Sequence, residues 1–270
     1  MDVCSKIFSK IMSNRLYKIL AVQETKCQFG ATPNIGCQDG SFTLKSLLHL
    51  RREHNLPTFV AFVDLVKAYD TANHKLMFEI LNKYGAPPKL ISAIERMYSE
   101  LKVVLKIGKE ISKIDQTVGV RQGDPMSPVL FLFIMSAFAE TLEQEWETAS
   151  IPKASFHHTP LDNLQKGQLI SHPTSKSYLR VSDIFEIIQT LFVDDGAFIF
   201  ESREDLTKGL EILKKVFDYF GLEMHLGKGN KASKTECVYF PEPAFFKPPA
   251  VLPPIDSNSN EIVTKKTTIP

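Results

Sequence analysis

The sequence predicts an α+β fold in which an antiparallel sheet of ferredoxin-like type is backed by helices on one face. Three observations predict it: an apolar strand pattern at 57–66, an apolar hairpin pattern at 191–200, and helical patterns between and after them. With the polar segment 148–180 set aside, the core order is strand, helices, long helix, hairpin, helix and strand. The 270 residues are 43% hydrophobic and 23% charged, which suits a globular chain of one large domain or two small ones.

Charge and cysteine content narrow the possible partners. The net charge is +1, so a nucleic-acid partner would be held by local basic surface rather than by a global field. No apolar run is long enough to span a bilayer, and no signal-peptide core follows Met1, so no membrane partner is expected. The four cysteines are widely spaced and form no C-x-x-C pair, which favours reduced thiols in an intracellular protein, nuclear or cytoplasmic, over a zinc site.

The N-terminal half is predicted to be mainly helical. Residues 2–20 have the period of an amphipathic helix whose basic face is either a solvated surface or a phosphate contact. The Gly/Pro/Asn-rich segment QFGATPNIGCQDG separates this helix from the next, and Asp70 is the expected cap of the helix that follows the first strand. The further helices are predicted at about 42–52, 74–84 and 88–100.

The C-terminal half continues with a hairpin in KVVLKIGKEISKI, turned at Gly108-Lys109. Ser127 is the expected cap of a long helix, with Pro128 at its first position. The polar segment 148–180 has no clear period, and a loop of that length is usually an insertion or functional. The remaining predictions are an end of the long helix at about 147, a helix at about 203–220, a strand in TECVYF, and a Pro-rich linker or disordered tail at 241–270.

Acidic residues stand at the ends of two predicted strands. Asp64 follows the apolar run TFVAFV, and Asp194 and Asp195 lie in LFVDDGAFIF, where Asp-Gly by itself favours a plain hairpin corner. If the two strands are neighbours, the three carboxylates repel one another unless divalent cations lie between them. Two Mg²⁺ ions about 3.5–4 Å apart would activate an attacking hydroxyl and stabilise a leaving phosphate oxygen, which is phosphoryl or nucleotidyl transfer.

A third segment, GVRQGDPMSPVLFLF at 119–133, precedes the long helix with a tight polar turn. Arg121 and Gln122 offer hydrogen-bond donors, and Gly123 allows a close approach of the backbone. By itself the QGDP sequence indicates only a helix-entry loop.

Taken in order, FVDLVKAYDT, GVRQGDPMSPVLF and LFVDDGAFIF resemble motifs A, B and C of reverse transcriptases, most of all those of non-LTR (LINE-type) retrotransposons and their group II intron relatives. DVCSKIFSKIMSNRL and QFGATPNIGCQDGSFTLKSLL resemble segments of the fingers, and GLEMHLGKGNKASKTECVYF resembles motif D. The resemblance covers about residues 2–240. It implies a right-hand polymerase palm over 57–240, with partial, mainly helical fingers over 1–56.

The resemblance also implies roles for the acidic residues and for one lysine. Asp64 and Asp194 match the pair that holds both metals, and Asp195 matches the companion acid of motif C. The implied cofactor is two Mg²⁺ ions, with Mn²⁺ as a possible substitute. Lys234 matches the motif D lysine that protonates the departing pyrophosphate, although Lys231 competes for this role and a solvated surface lysine is an equal alternative.

The substrate-binding residues follow from the other motifs. Tyr69, five residues after Asp64, matches the aromatic gate that blocks a ribose 2′-OH. Gln122 matches the residue beside the incoming sugar and base, with Arg121 and Gly123 in support. Two positions depart from the usual motif C, since Val193 replaces Ala and Gly196 replaces Thr or Ser; Gly196 is expected to loosen the hairpin.

The implied activity is RNA-templated DNA synthesis, with an RNA template, a DNA primer and dNTPs as partners. The upstream fingers, the thumb and the endonuclease of a parent polyprotein are expected to be missing from this chain. One alternative is an inactive remnant that folds and at most binds RNA or a partner. Another is an RNA-dependent RNA polymerase or a palm-type nucleotidyl transferase such as a cyclase, against which Tyr69 and the QGDP turn count.

Overall fold

A computed structural model of the chain describes residues 2–23, 28–99, 101–108, 110–158, 183–187, 189–192, 194–227 and 232–242. The helices are α1 (Val3–Leu20), α2 (Cys37–Glu53), α3 (Ala68–Thr71), α4 (His74–Lys83), α5 (Pro88–Ser99), α6 (Ser127–Thr148) and α7 (Arg203–Tyr219), with a 3₁₀ turn at Ala21–Gln23. The strands are β1 (Thr58–Val63), β2 (Lys102–Ile107), β3 (Glu110–Asp115), β4 (Ala154–His158), β5 (Asp183–Ile187), β6 (Gln189–Phe192), β7 (Asp195–Phe200) and β8 (Glu236–Phe240).

The main sheet has the order β6-β7-β1-β8, and each neighbouring pair is antiparallel. Helix α6 lies between β1 and β6 in the chain, and α7 lies between β7 and β8. In the sheet, β7 therefore lies between β1 and β6, and β1 lies between β7 and β8. This is the arrangement of the split βαβ units of a ferredoxin-like fold. The predicted antiparallel sheet with helices is confirmed.

Helices α6 and α7 cover one face of this sheet. The segment VLFLFIM of α6 is buried on every side, which is why it is apolar without interruption. The rings of Phe198 and Phe200 on β7 meet Trp146 of α6 edge-on, at centroid distances of 6.0 and 5.3 Å. At the α6–α7 contact Phe138 stacks on Phe217 at 4.2 Å. These aromatic contacts fix the sheet against the helices.

The opposite face of the sheet is partly covered by α2 and β4. Val60 and Ile199 pack there against Leu47 of α2 and Ala154 of β4. Arg51 of α2 is 1% exposed and pairs with Glu201 at 2.8 Å, so its buried charge is neutralised just beyond the end of β7.

Four details differ from the sequence-based expectations. Helix α2 begins at Cys37 rather than near residue 42, because the Asp39 carboxylate accepts a hydrogen bond from the Gly36 N–H at 2.8 Å. Asn73, not Asp70, caps α4. The N-cap of α6 is Met126, and Ser127 is its first residue. The segment predicted as a loop at 148–180 contains β4, which pairs with β5; the residues from 159 onward in that segment lie outside the described part.

The predicted hairpin of β2 and β3 is confirmed, with Gly108 at the turn and Lys109 outside the described residues. Cys4, Cys37 and Cys237 are free thiols, and Cys27 lies outside the described part, as does the predicted tail from residue 243 onward. No helix in the described ranges is both long enough and apolar enough to cross a membrane.

Candidate active site

The pairing of β1 with β7 brings the acidic residues of two motifs together. Val63, the last residue of β1, lies opposite Gly196, so Asp64 follows at the same end of the sheet as Asp195. Phe192 pairs with Asp195, which places the corner of the hairpin between them. The sequence alone favours the Asp-Gly pair as the corner of the hairpin. The structure differs, because Asp195 and Gly196 already belong to β7.

The charges of these residues interact. Burial raises the pKa of the Asp195 carboxyl, and the carboxylates of Asp194 and Asp64 raise it further, while Lys234 acts in the opposite direction. The Lys234 Nζ lies 3.4 Å from the Asp64 Oδ2. Among the described residues, Lys234 is the cation that acts on Asp195, whose pKa is raised by two neighbouring carboxylates, so negative charge is in excess there.

This excess of negative charge gives a stability prediction for Asp195→Asn. Because the folded-state pKa of Asp195 lies above its unfolded value, the ionised carboxyl destabilises the folded protein at neutral pH, and the penalty is released as the pH falls through the raised pKa. With a chelator present, Asp195→Asn is expected to melt at a higher temperature than the unsubstituted chain at pH 7. The gain should disappear below the unfolded pKa of about 3.8. A gain that is constant with pH would contradict the electrostatic cause.

The donor set fits a hard divalent cation. Carboxylate oxygens are the ligands that Mg²⁺ prefers, and the mutual repulsion seen at Asp195 is what a cation would relieve. In the described part of the chain, no group of three or more His, Cys, Asp and Glu side chains is already arranged to hold a metal ion. The side chains of Asp64, Asp194 and Asp195 would therefore have to turn toward a bound ion, and Asp64 would have to leave Lys234.

Tyr69 stands next to the acidic group. Its ring stacks on Phe131 of α6 with centroids 4.9 Å apart, and its backbone carbonyl accepts a hydrogen bond from the Val120 N–H at 2.7 Å. Burial raises the pKa of its hydroxyl to about 12, and the negative charge of Asp194 adds to this shift. The phenol is therefore neutral and its ring is held between α6 and the segment before it, close to Asp194.

The turn before α6 separates the three residues predicted there. Gln122 is exposed and its Nε2 donates to the Asp70 Oδ1 at 3.0 Å. Gly123 has a φ of +78° and open space where a Cβ would stand, so a ligand could approach its backbone. Arg121 turns inward, donates to the Met97 carbonyl and lies 5.7 Å from the Tyr98 ring centroid. Its predicted support of Gln122 in substrate binding stays a prediction.

Gly196 is required by packing. A Cβ at this position would stand 2.7 Å from the Phe198 ring and 3.3 Å from the Leu191 side chain. The side chains of these neighbours fill the space that a Cβ would take, while the expected loosening of the hairpin stays a prediction. Val193 and Lys231 lie outside the described residues.

Two acidic residues near the site were not among the predicted functional residues. Asp70, expected as a helix cap, faces Gln122 instead. Asp124 is 3% exposed and accepts hydrogen bonds from the Ser9 hydroxyl of α1 and from the Met126 N–H. Asp124 therefore ties α1 to the turn before α6. The QGDP sequence predicts the contact between Asp124 and the Met126 N–H of its own turn. No local sequence pattern predicts its contact with Ser9 in α1.

Solved structures of telomerase have a similar fold. The telomerase of Candida albicans, in complex with the TWJ fragment of telomeric RNA, matches with a TM-score of 0.57 at 11% identity, over 88% of this chain and 36% of that chain. The Candida tropicalis telomerase in the same kind of complex gives 0.55 at 12% identity, over 86% and 33%. The chain thus has a right-hand polymerase fold. The family model described as reverse transcriptase (RNA-dependent DNA polymerase) matches residues 1–241, and the chain belongs to this family.

Curated relatives place the chain more narrowly. It is 30% identical over 119 residues to the Retrovirus-related Pol polyprotein from type-2 retrotransposable element R2DM of Drosophila melanogaster, covering 44% of this chain and 11% of the relative. It is 23% identical over 224 residues to a type-1 retrotransposable element R2 polyprotein of Nasonia vitripennis, covering 83% and 18%. The chain therefore spans less than a fifth of the length of these two relatives. The predicted resemblance to non-LTR reverse transcriptases is confirmed.

Proposed function

We propose that this chain provides the polymerase centre of a retroelement reverse transcriptase, which transfers a nucleotidyl group from a dNTP to a primer 3′-hydroxyl on an RNA template. Family membership supports the reaction class. The observation that carries the site assignment is the β1–β7 pairing, which sets Asp64 beside Asp194 and Asp195. In this proposal residues 57–240 form the palm and residues 1–56 contribute part of the fingers.

The transfer balances without an added redox partner. The primer 3′-hydroxyl gives its proton to solvent, its oxygen bonds to the α-phosphorus, and the bond from the α-phosphorus to the oxygen that bridges to the β-phosphorus breaks to release pyrophosphate. Asp64, Asp194 and Asp195 would hold two Mg²⁺ ions, or Mn²⁺, and bound divalent ions would activate the hydroxyl and stabilise the charge on the leaving oxygen. Lys234 lies within reach of Asp64 and can donate a proton to the departing pyrophosphate.

Sugar selection is assigned to Tyr69. The Tyr69 ring stacks on Phe131, and the Tyr69 backbone carbonyl accepts a hydrogen bond from the Val120 N–H. The ring is therefore not easily displaced by an extra hydroxyl on the substrate. Tyr69→Ala is expected to raise ribonucleotide incorporation relative to deoxyribonucleotide incorporation by at least about tenfold, as a lost steric contact of about 1.4 kcal/mol would do. The measurement is the ratio of kcat/KM for the two sugars.

The matched control is Tyr69→Phe, which keeps the ring and removes only the hydroxyl. It should retain the discrimination of the unsubstituted chain, because the stacking on Phe131 involves the ring. Sugar selectivity that is unchanged in Tyr69→Ala would remove Tyr69 from the gate.

The proposed function is tested by dNTP incorporation on a homopolymer RNA template with a DNA primer. This 270-residue chain is assayed beside a version extended upstream and downstream. Incorporation by either form that requires Asp64 supports the proposal, and activity confined to the extended form shows that this chain is an incomplete enzyme. Absence of incorporation by both forms, with folded protein, would favour the inactive remnant.

A further inference from the structure

The segments that carry Tyr69 and Gln122 are joined side by side by their backbones. The Val120 N–H donates to the Tyr69 carbonyl at 2.7 Å, and the Gly119 N–H donates to the Ala72 carbonyl at 2.8 Å. The His74 Nε2 lies 2.7 Å from the Gly119 carbonyl oxygen. These contacts hold the turn before α6 against α3 without using the side chains of Asp70 or Gln122.

The Asp70–Gln122 hydrogen bond is the side-chain link at the end of this backbone pairing. The Gln122 Nε2 lies 3.0 Å from the Asp70 Oδ1, and both residues are exposed. An ionised carboxylate can only accept hydrogen bonds, so it selects the amide orientation in which the NH₂ group faces Asp70. The Oε1 of Gln122 is then on the other side of the amide as an acceptor.

We propose that Asp70 is a positioning residue for nucleotide binding, which orients the Gln122 amide so that its Oε1 accepts a hydrogen bond from the sugar hydroxyl of the incoming nucleotide. This rests on the proposed function, since it takes Gln122 to lie beside the sugar. A deoxynucleotide has only its 3′-hydroxyl to offer. The orientation therefore favours a nucleotide that carries a 3′-hydroxyl over its 3′-deoxy analogue.

The exposure of the link explains why it would matter for binding but not for folding. A hydrogen bond on an exposed surface competes with water and adds little to stability. When a nucleotide covers the site, water is excluded, and an amide that is free to turn would present its NH₂ group as often as its oxygen. Loss of Asp70 should therefore weaken nucleotide binding and leave the melting temperature unchanged.

The test is a double-mutant cycle on nucleotide binding. Asp70→Ala, Gln122→Ala and the double variant are titrated with a dNTP and with the matching 2′,3′-dideoxynucleotide, on template and primer in Ca²⁺, so that binding is read without chemistry. The unsubstituted chain is expected to prefer the 3′-hydroxyl nucleotide by about tenfold, the value of one hydrogen bond of about 1.4 kcal/mol. Both single variants should lose this preference, and the double variant should be no weaker than Gln122→Ala.

Asp218→Ala is the matched control, since Asp218 is an exposed carboxylate on α7 that pairs with Lys214 at 3.3 Å, away from this turn. It should retain the preference. Additive losses in the cycle, tighter binding in Asp70→Ala, or an unchanged preference would overturn the proposal. A drop in melting temperature for Asp70→Ala larger than that for Asp218→Ala would assign Asp70 to folding instead.

A second measurement keeps this inference separate from the proposed function. In a chain labelled with ¹⁵N-glutamine, the side-chain amide signals of Gln122, assigned by their loss in Gln122→Ala, should shift in Asp70→Ala and not in Asp218→Ala. Unmoved signals would refute the link even if the enzyme is active. Shifted signals with no binding of either nucleotide would refute the nucleotide role of Gln122, and this inference would fail with it. The proposed function would still be decided separately, by the primer-extension assay.

Discussion

Asp194→Asn is expected to lower templated dNTP incorporation by more than about 1,000-fold, because it removes a charge that a divalent cation would need. Asn preserves the size of the side chain and its fit at the hairpin corner. The fold should not suffer, since the negative charge of Asp194 raises the pKa of Asp195 and its loss relieves that repulsion. The variant should melt at the same temperature as the unsubstituted chain, or slightly higher, when a chelator is present.

The control for Asp194→Asn is Asp115→Asn, an exposed carboxylate on β3 that lies 3.5 Å from Lys102. It changes the net charge equally and should keep full activity, as surface ion pairs of this kind contribute little. A second readout is Mg²⁺ binding by calorimetry, which should be lost in Asp194→Asn and kept in Asp115→Asn. Incorporation by Asp194→Asn at the rate of the control would show that the ions are held elsewhere.

The sequence could place Asp64 and Asp194 at the ends of two buried strands, and it predicts that they meet if those strands are neighbours in the sheet. The structure bears this out in the pairing of Val63 with Gly196. The predicted roles of Asp64, Asp194, Asp195 and Lys234 in catalysis remain predictions, supported by their convergence. The division between fingers and palm near residue 56 is likewise a prediction.

Other features could not be predicted from the local sequence, because they depend on contacts with residues that are distant in the chain. Asp70 has the sequence context of a helix cap, yet the cap is Asn73, whose side chain accepts from the Leu76 N–H, and Asp70 is left free to meet Gln122. Gly196 follows two acidic residues as a turn glycine would, but its neighbours Phe198 and Leu191 require it in the strand.

Gly119→Ala is the substitution expected to damage both folding and the proposed site. Gly119 has a φ of +86°, and a Cβ there would stand 2.7 Å from the Asp70 carbonyl oxygen and 3.0 Å from the Asp70 Cα. Those atoms belong to the backbone, so they cannot turn aside as a flexible side chain would. The left-handed backbone costs about 1–2 kcal/mol and the overpacking about 1–3 kcal/mol, which gives a loss of about 2–5 kcal/mol in the free energy of unfolding.

Gly85→Ala separates the two causes. Gly85 also has a positive φ, +78°, but nothing lies within 4 Å of the position of its Cβ. It should cost only the backbone strain of about 1–2 kcal/mol, so the midpoint of urea unfolding should fall further in Gly119→Ala, with an unchanged slope. Equal midpoints would show that the contact with Asp70 is relaxed at no cost.

The contact at Gly119 also connects stability to the proposed chemistry. Relief of the clash must separate the Gly119–Val120 segment from the Tyr69–Ala72 segment, which lengthens the hydrogen bonds that join them. Tyr69 and Gln122 would then move apart, although neither is substituted. Gly119→Ala should therefore lose sugar discrimination at temperatures where it is still folded, whereas Gly85→Ala should retain it. Retained discrimination in folded Gly119→Ala would mean that the two segments act independently in nucleotide selection.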